Sequence, residues 1–382
     1  MGNKYNFDKV IDRRVTNSYK WDLSKDEYSY SIADMDFDVA PEIKNKIIEL
    51  ANEGPMGYTY VPKEYFEAYK RWWKSRYQVD IDISWCLFST SIVASVDTII
   101  SRLTELNDKI SLLSPNYNVF YRCISNNKRQ VEEIPFEYKD YSYGIDWDLF
   151  EEKLSQSKMF ILCNPHNPIG KAFNTQEINR IIELCRKYDV YLVSDEIHAD
   201  IDYNGKKYVS VLYNYSYDKM IVLLSPGKTF NLAGLHSSIV IIKDKELRSL
   251  IEKGLMENDV GEATFFSAHP VIEAYTKCDE YVYELNEYLK ANKEYLVSYI
   301  KNNNLDLKIV GGDYTYLLWI DISRYSNNSD EFVESLFKQE KVKLLPGSQY
   351  HEHYSTFVRV NIATSLENIK ILCESLKRFL TK

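Results

Sequence analysis

The chain has 382 residues, of which 45% are hydrophobic and 27% charged, with a formal net charge of −9. That length exceeds what one small core organises, so two closely packed globular domains are expected. The acidic balance argues against a nucleic-acid partner, whose phosphates demand a basic surface, and no apolar run approaches the length of a membrane span.

Residues Met1 to Val10 alternate polar and charged side chains without the apolar stretch of a signal peptide, so export is not indicated. Gly2 does not fit a myristoylation pattern, because Asn6 stands where Ser or Thr is required. The first 45 residues carry few helical signals and are expected to wrap back onto a C-terminal domain. Six cysteines (Cys86, Cys123, Cys163, Cys185, Cys278, Cys373) are scattered without a C-x-x-C pair, which reads as reduced, buried thiols and a cytoplasmic location.

From about residue 85 to 245 short apolar runs alternate with amphipathic stretches, the mark of βα units and a mainly parallel sheet. Trp85–Phe88, Ile110–Leu113, Phe160–Cys163, Tyr191–Val193, Ile221–Leu224 and Ile239–Ile242 are predicted strands. Their continuous apolar character, without alternation, suits strands covered on both faces. Asn174, with Glu177 three residues on, predicts a capped helix whose Ile178, Ile181, Ile182 and Cys185 share a face. Beyond residue 280 the texture changes to a helix over Glu280–Lys301, a strand over Tyr314–Ile322 and a closing helix over Ser365–Leu380. The predicted architecture is α/β: a doubly wound domain over 46–285, and a smaller α+β domain from 1–45 and 286–382.

Ligands of open α/β sheets bind beyond the carboxyl ends of the strands. Four predicted strands are followed by Ser89-Thr90-Ser91, by Asn164-Pro165-His166-Asn167-Pro168-Ile169-Gly170, by Ser194-Asp195-Glu196-Ile197-His198 and by Ser225-Pro226-Gly227-Lys228-Thr229-Phe230-Asn231. Alone, a strand-end Asp is more often a helix cap and a doubled N-P is usually a turn. Order and spacing carry the signal. The succession N-P-x-N-P-x-G, S-D-E, S-x-x-K resembles the fold-type I enzymes dependent on pyridoxal 5'-phosphate (PLP), of the aminotransferase class I/II superfamily. Ala33-Asp34-Met35-Asp36-Phe37, Gly57-Tyr58, Ser114-Pro115-Asn116-Tyr117, Ser194 to His198, Lys228 to Leu235 and Phe357 to Asn361 resemble its MalY/PatB branch. That branch comprises cysteine-S-conjugate β-lyases, including cystathionine β-lyases.

The resemblance implies a role for each matching residue. Lys228 would hold PLP as a Schiff base and later act as base on the substrate Cα. Asp195 would face the pyridine nitrogen, Asn167 the ring's O3', and Tyr117 would stack on the ring. His198 stands where many relatives present a Tyr, with a core histidine as the plain alternative. The phosphate would meet the N–H groups of Ile92 and Val93, Ser225, and Tyr58 from a neighbouring subunit. A homodimer with shared active sites follows from that last assignment. Arg359 would grip the carboxylate of an amino-acid substrate near Ala33, and Tyr58 or Lys228 would protonate the departing thiolate. The expected reaction is β-elimination from an L-cysteine S-conjugate; aminotransfer to a 2-oxo acid is the alternative.

Three features depart from the family pattern. His236 stands where many aminotransferases have a phosphate-contacting Arg. Ser89 and Gly227 exchange the usual Gly and Ser, and residues 351–355 lack a common Gly-rich turn. His351-Glu352-His353 is an incomplete ligand set that reads as loop surface, so no metal is expected.

Overall fold

The computed structural model describes residues 4–205 and 208–381; Gly2 and the first three positions of the N-terminal segment lie outside the described residues. A seven-stranded sheet organises the larger part. Its strands are β1 (Cys86–Ser89), β2 (Lys109–Ser114), β3 (Gln130–Pro135), β4 (Met159–Cys163), β5 (Tyr191–Asp195), β6 (Met220–Leu224) and β7 (Ser238–Ile241). Their order is β1-β7-β6-β5-β4-β2-β3. β7 runs antiparallel to both neighbours, and every other pair is parallel.

The strands read as unbroken apolar runs because each face of the sheet has its own core. Leu87, Ile110, Leu112, Ile161, Val193, Ile221, Leu223 and Val240 pack into one cluster with the helices Ile92–Leu103, Asn118–Asn126 and Lys245–Glu257. The alternate residues, Phe88, Leu113, Phe160, Leu162, Leu192, Val222, Leu224 and Ile239, join the other cluster with Lys63–Tyr77, Thr175–Lys187 and His269–Lys277. The period-two pleat therefore delivers apolar side chains to both sides. The capped helix forms as expected over Thr175–Lys187: the Asn174 side chain accepts from the Gln176 and Glu177 N–H groups, and Glu177 reaches back to the Asn174 N–H.

Six of the seven strands match the sequence expectation within one or two residues. β3 was not anticipated. Its sequence, Gln130-Val-Glu-Glu-Ile-Pro135, sits at the sheet edge with only Ile134 buried, so it carries no continuous apolar run. The C-terminal strand is shorter than predicted, Leu317–Asp321. The long helix spans Asp279–Asn302 and so runs through the expected boundary at 285/286, and the closing helix is Leu366–Leu380 with Ser365 as its cap.

The smaller sheet consists of β8 (Lys308–Val310), β9 (Leu317–Asp321), β10 (Leu345–Pro346) and β11 (Phe357–Asn361), antiparallel in the order β8-β9-β11-β10. The N-terminal segment does return to this region: Tyr28–Ser29 pairs with Val342–Lys343, and the Asn361 N–H donates to the Tyr30 carbonyl at 2.8 Å. It also contains a helix, Pro41–Asn52, that its composition did not announce. The six cysteines are buried and free. Among the described residues no helix is long and apolar enough to cross a membrane.

Candidate active site

A cavity of about 190 Å³ opens at the carboxyl ends of β4, β5 and β6, where the loops after these strands converge with the start of helix Ile92–Leu103. Nine residues singled out from sequence line it: Ala33, Ile92, Val93, Tyr117, Asn167, Asp195, His198, Ser225 and Lys228. Arg359 lies immediately behind, 4% exposed on β11, with its Nη1 donating to Asn167 Oδ1 at 3.1 Å. Tyr58 is not part of the cavity of its own chain and is fully exposed.

The lysine is held by the N-terminal segment. Lys228 Nζ donates to the Ala33 carbonyl at 2.5 Å, and the same carbonyl accepts from Tyr316 Oη at 3.0 Å. Burial lowers the ammonium to about 8; Asp34 and Asp195 oppose that fall and Arg359 adds to it. A sizeable fraction of the amine is thus neutral and basic near physiological pH, far more than for an ordinary lysine.

Asp195 ends β5, 4% exposed, and its Oδ1 accepts from the Ile197 N–H at 3.1 Å. Burial raises its carboxyl to about 7, with the Ile197 N–H and Lys228 acting in the opposite sense. A carboxyl so displaced is only partly ionised near neutral pH, and a cation placed against it favours the charged form. His198, in the turn that follows, is buried, and its Nδ1 has no partner. Burial, then Lys228 and Arg359, hold it well below the usual imidazole range, so it is neutral. Its ring meets Tyr316 edge-on at 6.1 Å.

Asn167 is fixed by its turn. Gly170 has a left-handed φ of 62°, and a Cβ on Gly311 or Gly312 would overlap the carbonyls of Ile169 and Gly170, so two backbones meet there without side chains between them. With Oδ1 occupied by Arg359, the Asn167 amide nitrogen has no partner among the described residues. On the other wall, Ser91 caps helix Ile92–Leu103 by accepting from the Ala94 N–H at 3.1 Å. The first-turn N–H groups of Ile92 and Val93 have no acceptor within the helix and line the cavity.

Ser225 lines the cavity, yet its hydroxyl donates to the Ser237 carbonyl at 2.8 Å and accepts from the Gly227 N–H at 3.1 Å. Thr90, Ser91 and Ser237 share the lining and were not given roles from sequence. His236 is exposed at the end of a short helical turn and faces a different hollow, beside Ile47 and Phe266.

Two polar clusters that the motifs did not reveal position these residues. Asp36 is buried and accepts from Trp21 Nε1 at 2.7 Å, Lys20 Nζ at 2.9 Å and Arg13 Nη1 at 3.0 Å. Burial works against its charge, and Lys20, Trp21 and Arg13 together hold it below the usual carboxylate range. Asn231, three residues after the lysine, clamps the same segment by accepting from the Met35 N–H at 3.1 Å and donating to the carbonyls of Met35 and Phe37. Asp200 accepts from Trp72 Nε1, Tyr77 Oη and Thr229 Oγ1, tying the stretch after Asp195 to the residue after Lys228.

Together, a mixed seven-stranded sheet and a half-buried lysine with a buried aspartate and arginine converging at its strand ends define the architecture of the fold-type I PLP enzymes. The chain belongs to the aminotransferase class I and II family, whose model matches residues 22–376. It is 31% identical over 375 residues to cystathionine beta-lyase PatB of Bacillus subtilis, covering 96% of this chain and 97% of that protein. Among solved structures it superposes on cystalysin of Treponema denticola, which contains a pyridoxal 5'-phosphate cofactor, with a TM-score of 0.95, 26% identity and 99% of each chain covered. It superposes equally completely on the PLP-bound C-S lyase of Staphylococcus hominis, with a TM-score of 0.92, 29% identity and 99% of each chain covered.

Proposed function

We propose that this protein is a PLP-dependent carbon–sulfur β-lyase that releases a thiol from L-cysteine S-conjugates such as L-cystathionine and leaves pyruvate and ammonia. The observation that carries the reading is Lys228, a cavity-facing amine lowered to about 8, in one cavity with the buried Asp195 carboxyl. The cavity fits the cofactor on its own evidence: an acid awaiting a cation, unpaired donors at Asn167 and the helix start, and a lysine for covalent attachment. Names of the relatives, which include a cystathionine beta-lyase and a C-S lyase, support the same chemistry.

Bound PLP supplies a sink for the electron pair left on Cα when its proton is removed. Lys228, which would hold the cofactor covalently, carries the amine that would take that proton from Cα. Asp195 would hold a proton on the ring nitrogen by its negative charge, which burial makes effective over a short range. Asn167 would offer its free amide hydrogens to the ring oxygen, Tyr117 would cover the ring, and the Ile92 and Val93 N–H groups would receive the phosphate. Arg359, whose Nε is buried without a partner, receives the substrate carboxylate, beside the Ala33 backbone. The Cβ–S bond then breaks. The thiolate takes a proton from Lys228 or from Tyr58 of a second copy, and the remaining enamine is hydrolysed to pyruvate and ammonia.

The full exposure of Tyr58 supports a homodimer in which each copy completes the other's site. Six buried, unpaired thiols support a cytoplasmic setting. The division into 46–285 and 1–45 with 286–382 is supported by the pairing of Tyr28–Ser29 with Val342–Lys343. The test is incubation of the PLP-loaded enzyme with L-cystathionine and other cysteine S-conjugates. Pyruvate and thiol in equal amounts support elimination. Formation of a new amino acid from 2-oxoglutarate, without pyruvate, assigns the chain to aminotransfer instead.

A further inference from the structure

The loop between β10 and β11 carries a cluster that the reaction above does not use. His351, Glu352 and His353 each present one ligand atom, and these atoms lie within 4.8 Å of one another. Tetrahedral zinc with bonds of roughly 2.0–2.2 Å holds its ligand atoms about 3.3–3.6 Å apart. Exposed side chains close that difference by small rotations, and Glu352 and His353 are exposed.

Two further observations point to a ligand. His351 has φ 154° and ψ 155°, a backbone region occupied essentially by glycine, yet the position carries an imidazole. Strained positions of this kind cluster at functional sites, including ligand clamps. A second carboxylate also arrives from β3: Glu133 Oε1 is 3.6 Å from His351 Nε2. It supplies the oxygen ligand, or the partner that orients the ring, that the tripeptide lacks in sequence. The two imidazoles are adjacent, with ring centroids 4.5 Å apart.

We propose that His351, Glu352 and His353, with Glu133 beside them, form a surface site for a divalent cation of the zinc type. Nitrogen and carboxylate donors select Zn²⁺ and its borderline neighbours over Mg²⁺ or Ca²⁺, which take oxygen ligands. The site lies on the loop that borders the substrate arm. Tyr350 places its ring 5.7 Å from the Arg359 guanidinium, and Tyr354 Oη bonds Ser114 Oγ at 2.7 Å, three residues before Tyr117. An ion held between this loop and β3 pins the segment carrying Tyr350 and Tyr354. The site is independent of PLP chemistry, and the buried cysteines do not compete for the metal.

The experiment is calorimetric titration of ZnCl₂ into chelator-treated, PLP-loaded enzyme, with hydrogen exchange of residues 347–355 followed with and without Zn²⁺. One Zn²⁺ per chain is expected, together with slower exchange of that loop. His351→Asn and His353→Gln should each weaken binding by about tenfold or more, and the double variant should abolish it, while His269→Gln leaves it unchanged. Retained PLP binding certifies that each variant is folded. Absence of binding up to millimolar Zn²⁺, or undiminished binding in the double variant, overturns the proposal.

Discussion

Replacing Arg359 by Lys separates charge from geometry at the substrate end of the cavity. The guanidinium donates to Asn167 Oδ1 at 3.1 Å and to the Ser31 carbonyl at 2.5 Å, while Nε remains buried and unpartnered. A lysine retains the positive charge but loses the planar fork, so at least one charge-assisted bond to the substrate carboxylate disappears. Each such bond contributes about 1.5–3 kcal/mol, and about 1.4 kcal/mol is tenfold in an equilibrium constant. The variant should therefore lose roughly 10- to 150-fold in kcat/KM, mostly through a higher KM. The assay is pyruvate release from L-cystathionine over a range of substrate concentrations, with PLP content measured in parallel. The wild-type enzyme should discriminate by a similar factor against the analogue lacking the cysteine carboxylate. A KM within about threefold of wild type at normal PLP content would refute the assignment.

Asp195→Asn should abolish most of the turnover while stabilising the PLP-free protein. The sign follows from linkage: the folded carboxyl sits at about 7 and the unfolded one at about 3.9. The folded state therefore binds the extra proton, and its advantage is lost as pH rises from the unfolded value through about 7. Thermal melts should show the Asn variant gaining about 4 kcal/mol at pH 8 and under about 1 kcal/mol near pH 4; equal gains at both would contradict the burial argument. Lys228, lowered to about 8, should be the fastest lysine to react with an amine-directed reagent in the PLP-free protein. Its labelling rate should level off above that pH, whereas a rate that keeps climbing to pH 10 would mean an ordinary lysine. Asn231→Ala removes three hydrogen bonds to Met35 and Phe37 and places Ala at a φ of 58°. Its denaturation midpoint should fall by an amount equivalent to about 2–4 kcal/mol, read by chemical unfolding.

The sheet was legible because β1, β2, β4, β5, β6 and β7 are apolar on both faces, and the strand-end motifs led directly to the cavity lining. β3 escaped because an edge strand with Gln130, Glu132 and Glu133 has no apolar run to reveal it. The polar clamps escaped for a different reason. Asp36 meets Lys20 and Arg13, and Ala33 meets Tyr316 and Lys228, only through folding contacts that no local pattern encodes. Ser225 was legible as a cavity residue but not in its hydrogen bonding, since its acceptor, Ser237, comes from the start of the next strand region. Glu133 beside His351 is a pairing across 218 positions by subtraction of their numbers, which is why the histidine pair looked incomplete in sequence.

The most direct test of the account is borohydride reduction of the PLP-loaded enzyme followed by peptide mass spectrometry. One reduced PLP per chain should be recovered on the peptide containing Lys228, and none after Lys228→Ala. Recovery of an unmodified Lys228 peptide, with cofactor spread over surface lysines, would contradict the assignment on which the proposed chemistry rests.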